Sequence, residues 1–124
     1  MPLPLLTLEF RQPNIVEYFD EFLVVRSQLE AKGVKVAVDH IFPDTLGLVN
    51  IDYIGAKTAK VQWVPGAEEV LKGRAKALKR MIDAGVRMIM TRVEDQATMA
   101  LADSLGIHDY QGFLVDSLIK KAAA

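Results

Sequence analysis

Ile82-Asp83-Ala84-Gly85-Val86-Arg87-Met88-Ile89-Met90 decides the fold. An amphipathic helix, marked by Leu71, Ala75, Leu78 and Ile82, runs into a glycine, and an apolar β-branched run follows at once. Glycine ends a helix well because it takes the left-handed conformation without steric penalty. A strand that starts directly afterwards is an αβ connection. The same joint recurs at Glu30-Ala31-Lys32-Gly33-Val34 and at Asp103-Ser104-Leu105-Gly106-Ile107. Repetition of that joint predicts serial β-α units and a mainly parallel sheet.

Working outward, Ile15, Phe19, Phe22 and Leu29 mark a face of the first helix, and Ala97, Leu101 and Leu105 a face of the last. Strands are expected at Leu5 to Phe10, Val34 to Val38, Ala59 to Val64, Val86 to Met90, and Gly112 to Val115. Their near-continuous apolarity suggests cover on both faces. Asp44 to Ala56 reads as a short helix or an irregular crossover, and Pro65-Gly66 as a loop.

The 124 residues suit one domain spanning 1–124. Half of them are hydrophobic (51%) and a quarter charged (25%), a globular balance. A formal net charge of −1 advertises neither a nucleic-acid nor an acidic-membrane partner. There is no cysteine, which removes disulfides and thiolate metal sites and fits a reducing compartment. The apolar start, Met1 to Leu6, lacks a basic lead-in and is soon ended by Glu9 and Arg11, so it is not a signal peptide. No run approaches the roughly 18 apolar residues of a membrane span. The expected location is the cytoplasm. A closed (β/α)8 barrel needs about 250 residues, so a barrel built from these units would be half of one.

Chemistry in parallel sheets sits at the carboxyl ends of the strands. Those ends read Leu8-Glu9-Phe10-Arg11-Gln12, Val36-Ala37-Val38-Asp39-His40, Ala59-Lys60-Val61-Gln62, Met90-Thr91-Arg92-Val93-Glu94-Asp95 and Asp109-Tyr110-Gln111-Gly112-Phe113. In this order they resemble the second half of the EAL family of cyclic-di-GMP phosphodiesterases. That family carries Glu-Ile/Leu-Thr-Glu, then Asp-Asp-Phe-Gly-Thr-Gly, Leu-Lys-Ile-Asp, Ala-Glu-Gly-Val-Glu-Thr and Gln-Gly-Tyr/Phe. The resemblance runs from about Leu5 to Val115 and implies a partial, TIM-like (β/α) barrel. Family members hydrolyse cyclic di-GMP with two magnesium or manganese ions on carboxylates, the chemistry of a two-metal clamp.

By that resemblance Glu9 matches a metal-binding glutamate, Asp39 the first Asp of Asp-Asp, and Lys60 the active-site lysine. Glu94 matches the Glu of Val-Glu-Thr, and Gln111 the Gln of Gln-Gly. The departures are as telling. His40 replaces the second Asp. Thr91-Arg92 replaces Glu-Gly, Gln62 replaces an Asp, and Ile41-Phe42-Pro43-Asp44 replaces Phe-Gly-Thr-Gly. The Glu-Ala-Leu motif belongs to the half that has no counterpart here. The ligand set is therefore incomplete, and no metal cofactor and no catalytic residue are expected.

Each residue also has a plainer reading. Glu9 is either a vestigial ligand or a surface charge. Asp39 can cap backbone N–H groups, with His40 hydrogen-bonding nearby. Lys60, inside an apolar strand, calls for a carboxylate, Asp39 or Glu94. Arg92 is expected to pair with Glu94 or Glu9, phosphate binding being the alternative. Glu94 suits the first turn of a helix, and Gln111-Gly112 can be a turn. Met81, Met88, Met90 and Met99 should fill core gaps, and Trp63 could face a partner.

An open half-barrel exposes strand edges and a bare inner face, expected to be apolar and to seek cover. Homodimerisation, or a protein partner that completes the barrel, is expected. The functional expectation is a catalytically inactive EAL-like regulatory or protein-interaction module in bacterial cyclic-di-GMP signalling. The alternatives are a non-hydrolysing cyclic-di-GMP receptor and a phosphodiesterase fragment completed by a missing N-terminal half.

Overall fold

The three glycine joints form as the sequence predicts. In this computed structural model, which describes residues 6–112, Gly33, Gly85 and Gly106 have φ of +76°, +90° and +87°. Each closes the same pair of hydrogen bonds. At the second joint Gly85 N donates to Ile82 O (3.0 Å) and Val86 N to Met81 O (3.0 Å). The bonds from Gly33 and Val34, and from Gly106 and Ile107, repeat that spacing. This is the Schellman motif, which satisfies orphaned helix carbonyls and points the chain into the next strand.

The elements run β1 (Thr7–Arg11), α1 (Gln12–Glu17), α2 (Phe19–Ala31), β2 (Lys35–Ile41), a 3-10 turn (Pro43–Thr45), β3 (Thr58–Gln62), α3 (Ala67–Gly73), α4 (Ala75–Asp83), β4 (Arg87–Thr91), α5 (Gln96–Ser104) and β5 (Asp109–Tyr110). All strand pairs are parallel, in the order β1-β2-β3-β4-β5. Every connection steps in the same direction across the sheet. A doubly wound sheet would reverse once and place helices on both faces. Here right-handed crossovers all fall on one side, so the sheet is an unclosed arc of a barrel.

Side chains alternate accordingly. One face, with Val36, Val38, Ile41, Ala59, Val61, Met88 and Met90, is buried in a single core with Ile15, Phe22, Leu71, Leu78, Met81 and Ala102. The expected role of the methionines holds, since Met81, Met88 and Met90 are buried and Met99 packs on their cluster. Trp63 is likewise partly buried against the core. The crossover after β2 has no α-helix, yet Leu46, Val49, Ile51 and Ile54 are buried in it.

Several expectations need correction. The inner face is polar rather than a bare apolar surface. By register it carries Glu9, Ala37, Asp39, Thr58, Lys60, Gln62, Arg87, Ile89, Thr91 and Asp109. The strands alternate, and a face of ions stays wet at little cost. The expected first helix breaks at Tyr18 (φ −120°, ψ 48°) into α1 and α2, which leaves Phe19 exposed. Its neighbour breaks at Arg74, which leaves Ala75 exposed. In α5 the buried residues are Thr98 and Ala102, and Ala97 faces out. The last strand among the described residues is Asp109–Tyr110; the strand expected from Gly112 to Val115 lies, but for Gly112, outside the described residues. No helix among the described residues is long and apolar enough to cross a membrane.

Candidate functional site

The carboxyl ends of β1, β2 and β3 bring Glu9, Asp39 and Lys60 onto one face. Register gives this directly: Glu9 is opposite Ala37, Ala37 is opposite Thr58, and Asp39 and Lys60 lie two residues further along. Between Val38 and Ile41 the β2–β3 register shifts by one residue, a bulge at Asp39–His40. Bulges re-aim side chains at the rims of barrels. His40 takes φ +56° there. Its ring turns towards Phe42, centroids 6.5 Å apart and nearly perpendicular. Asp39 Oδ1 accepts from the His40 backbone N–H at 2.7 Å, so Asp39 does secure local backbone.

Lys60 forms an ion pair with Glu9, not with Asp39 or Glu94 as the sequence suggested. The pair spans β2, reaching over Ala37. Two strand spacings are about 10 Å, a gap that a glutamate and a lysine can bridge only across a small residue. The pair is asymmetric: the Lys60 side chain is 17% exposed and that of Glu9 47%.

Next along the face, Arg87 grips Asp109 in a two-pronged bond, Nε to Oδ2 at 2.9 Å and Nη2 to Oδ1 at 3.1 Å. The hydrogen bonds from Arg87 hold the Asp109 carboxyl below its ordinary range. They also raise the arginine further. The sequence reading missed this pair, although Arg87 and Asp109 begin adjacent parallel strands.

Arg92 follows β4 directly, exposed and left-handed, at φ +60°. The expected pairing with Glu94 or Glu9 does not form: no ion pair of Arg92 exists among the described residues. The turned backbone carries its side chain out, and Glu9 is already taken by Lys60. Glu94 is exposed and stands one residue before the cap of α5. The cap itself is Asp95, whose Oδ1 accepts from Thr98 N (2.7 Å) and Thr98 Oγ1 (2.8 Å). The backbone N–H of Thr98, then its hydroxyl, hold the Asp95 carboxyl low. An Asp three residues before a Thr at a helix start was the overlooked signal.

Gln111 is exposed, and its backbone extends the β4–β5 ladder: its N–H donates to Met90 O (2.9 Å) and its O accepts from Val93 N (3.0 Å). At Gly112, φ is +152° and a Cβ would overlap the Val93 backbone. Gln111 thus continues the ladder's hydrogen bonds just past β5, and Gly112 makes a close backbone approach, beyond a simple turn. Among the described residues no three His, Asp or Glu side chains gather into a group that could hold a metal ion.

No protein-family model and no curated protein matches the sequence. Solved structures do. The PaMucR phosphodiesterase in its c-di-GMP complex aligns over 92% of this chain and 48% of its own, with TM-score 0.71 and 20% identity. The Vibrio cholerae LapD S helix-GGDEF-EAL structure, bound to c-di-GMP, covers 91% of this chain and 29% of its own, with TM-score 0.77 and 19% identity. This chain has the fold of part of an EAL barrel. The Bacillus subtilis YkuI protein with an EAL domain, in complex with c-di-GMP and calcium, agrees: TM-score 0.72 and 20% identity over 92% of this chain and 28% of that one. The chain spans less than half the length of each of these structures. Within the EAL fold, the uncovered polar face is the inside of the barrel wall.

Proposed function

We propose that this chain is a catalytically inactive EAL-like regulatory module that acts through a protein partner in bacterial cyclic-di-GMP-related signalling, in the cytoplasm, without a metal cofactor and without binding nucleic acid or membrane. One observation carries the reading. Lys60 occupies Glu9, the carboxylate that the resemblance casts as a metal ligand. Two divalent ions on hard oxygen donors need several free carboxylates, and the residues on this face do not fit that demand. Glu9, Asp39, Lys60, Arg92, Glu94 and Gln111 then form a vestigial rim rather than a catalytic set. The partner is a second copy, or another chain, that pairs with an open strand edge and covers the inner face.

The cations of that face favour a second reading, a receptor that holds cyclic di-GMP without cleaving it. Lys60 and Arg11 lie on it, and Arg92, with no ion pair among the described residues, follows β4 at its carboxyl end. Calorimetric titration with cyclic di-GMP, with and without magnesium, separates the two. The interaction module gives no saturable heat, and sedimentation shows a dimer where the partner is a second copy. Saturable, metal-independent binding establishes the receptor instead.

A further inference from the structure

Among the described residues β1 pairs with β2 alone, so one of its edges is open. It is the longer of the two sheet edges, five residues against two in β5. Lys35 N donates to Leu6 O (3.0 Å), and Thr7 lies opposite Lys35. In a parallel ladder that phase turns the N–H and C=O groups of Leu8 and Phe10 towards β2 as well, and leaves those of Thr7, Glu9 and Arg11 facing outwards. An outward row of this kind is a template for another strand.

Both faces of the edge carry unspent surface. On the outer face Leu8 is 42% exposed. Beside it runs a groove of about 220 Å³ lined by Phe10, Ile15, Tyr18, Phe22 and Val25. Phe10 stands edge-on to Phe22, centroids 5.2 Å apart. On the inner face lie Glu9 and Arg11. Glu9 Oε1 holds Lys60, which leaves its second oxygen to accept. Arg11 is exposed and has no ion pair among the described residues.

An antiparallel partner strand must set outward-facing residues opposite one another. For two copies of β1 the registers that do so are centred on Leu8, Glu9, Phe10 or Arg11. Centring on Glu9 or on Arg11 opposes like charges, which destabilises. Centring on Leu8 sets Glu9 opposite Thr7 and matches no charges. Centring on Phe10 sets Glu9 opposite Arg11 on both sides of the dyad. It also sets Phe10 opposite its own image at a non-hydrogen-bonded site, where side chains approach closest. Because Phe10 lines the groove, the two grooves meet at that dyad.

We propose that the chain forms a twofold dimer through β1, antiparallel and centred on Phe10. The edge is complementary to itself in this register, in charge and in apolar surface, as an isologous interface requires. The proposal rests on the reading above, in which a partner pairs with an open strand edge, and names both the partner and the edge.

Sedimentation equilibrium of the full chain should show a dimer. Arg11 is exposed, so Arg11→Glu should fold normally; it sets acids opposite one another and should raise the dimer dissociation constant by about ten-fold or more. The chain has no cysteine, so single introduced cysteines report the register. Across the dyad the Phe10 Cα atoms lie about 4.5 Å apart, within disulfide reach, and oxidised Phe10→Cys should run as a covalent dimer. The Leu8 Cα atoms lie about 13 Å apart in this register, so Leu8→Cys should stay uncrosslinked. A chain that remains monomeric at its highest soluble concentration, a dimer equally tight in Arg11→Glu, or ready crosslinking of Leu8→Cys would each overturn this dimer. The inactive-module reading fails on a different result, cleavage or saturable binding of cyclic di-GMP.

Discussion

Removing Glu9 should destabilise the protein more than removing Lys60, although the two form one ion pair. The asymmetry comes from exposure. Glu9→Gln strands an ammonium that is only 17% exposed, flanked by β2 and β4. Breaking a buried pair from one side costs about 3–5 kcal/mol, and an exposed pair about 0.2–1. With one partner covered and the other 47% exposed, an intermediate loss of about 2 kcal/mol follows for Glu9→Gln. Lys60→Met leaves a carboxylate that water can reach and keeps the apolar stem over the sheet, so its loss should stay below about 1 kcal/mol. The double variant should resemble Lys60→Met alone, with a coupling of about 2 kcal/mol. Urea unfolding of the four proteins reads all three quantities from midpoints at constant slope. Additive effects with a Glu9→Gln loss under about 0.3 kcal/mol would refute the reasoning, because the two side chains would then not support each other.

Other consequences follow from the backbone and the carboxylates. Arg92→Gly should stabilise by about 0.5–1 kcal/mol, since it relieves a left-handed side chain and removes no ion pair found among the described residues, whereas Arg92→Val should destabilise; thermal melts of both check this. Gly112→Ala should cost more than about 1 kcal/mol through its overlap with the Val93 backbone, with faster hydrogen exchange at Val93 and Gln111 as the local sign. Asp95 and Asp109 both titrate below the ordinary carboxylate range. Their stabilisation is therefore complete above the unfolded-state value, near pH 4, and is lost as pH falls through the folded values. Acid unfolding curves of Asp95→Asn and Asp109→Asn should lie flatter below about pH 4 than that of the unaltered chain.

What the sequence reveals of this fold is what local chemistry decides. Each joint of helix, glycine and β-branched residue is a short-range device, and all three form with the same bonds. The order of strand ends also holds, because serial right-handed units leave a parallel sheet few topologies. The breaks at Tyr18 and Arg74 escaped notice because the apolar spacing continues through them, while the hydrogen bonds do not. The polar inner face was legible in Thr58-Lys60-Gln62 and Arg87-Ile89-Thr91, had strict alternation been weighed above mean apolarity. The partner of Lys60 was not legible. Which carboxylate lies across from it depends on the β2 bulge and on the small residue at Ala37, and both are tertiary facts.

The shape is that of part of an EAL barrel; that the cation-holding chemistry is lost is the proposal to test. Incubation of the pure chain with cyclic di-GMP and either magnesium or manganese, followed by chromatography of the nucleotides, tests it most directly. The expected result is intact cyclic dinucleotide at every time point; linear product that accumulates with enzyme concentration and vanishes with chelator would contradict it.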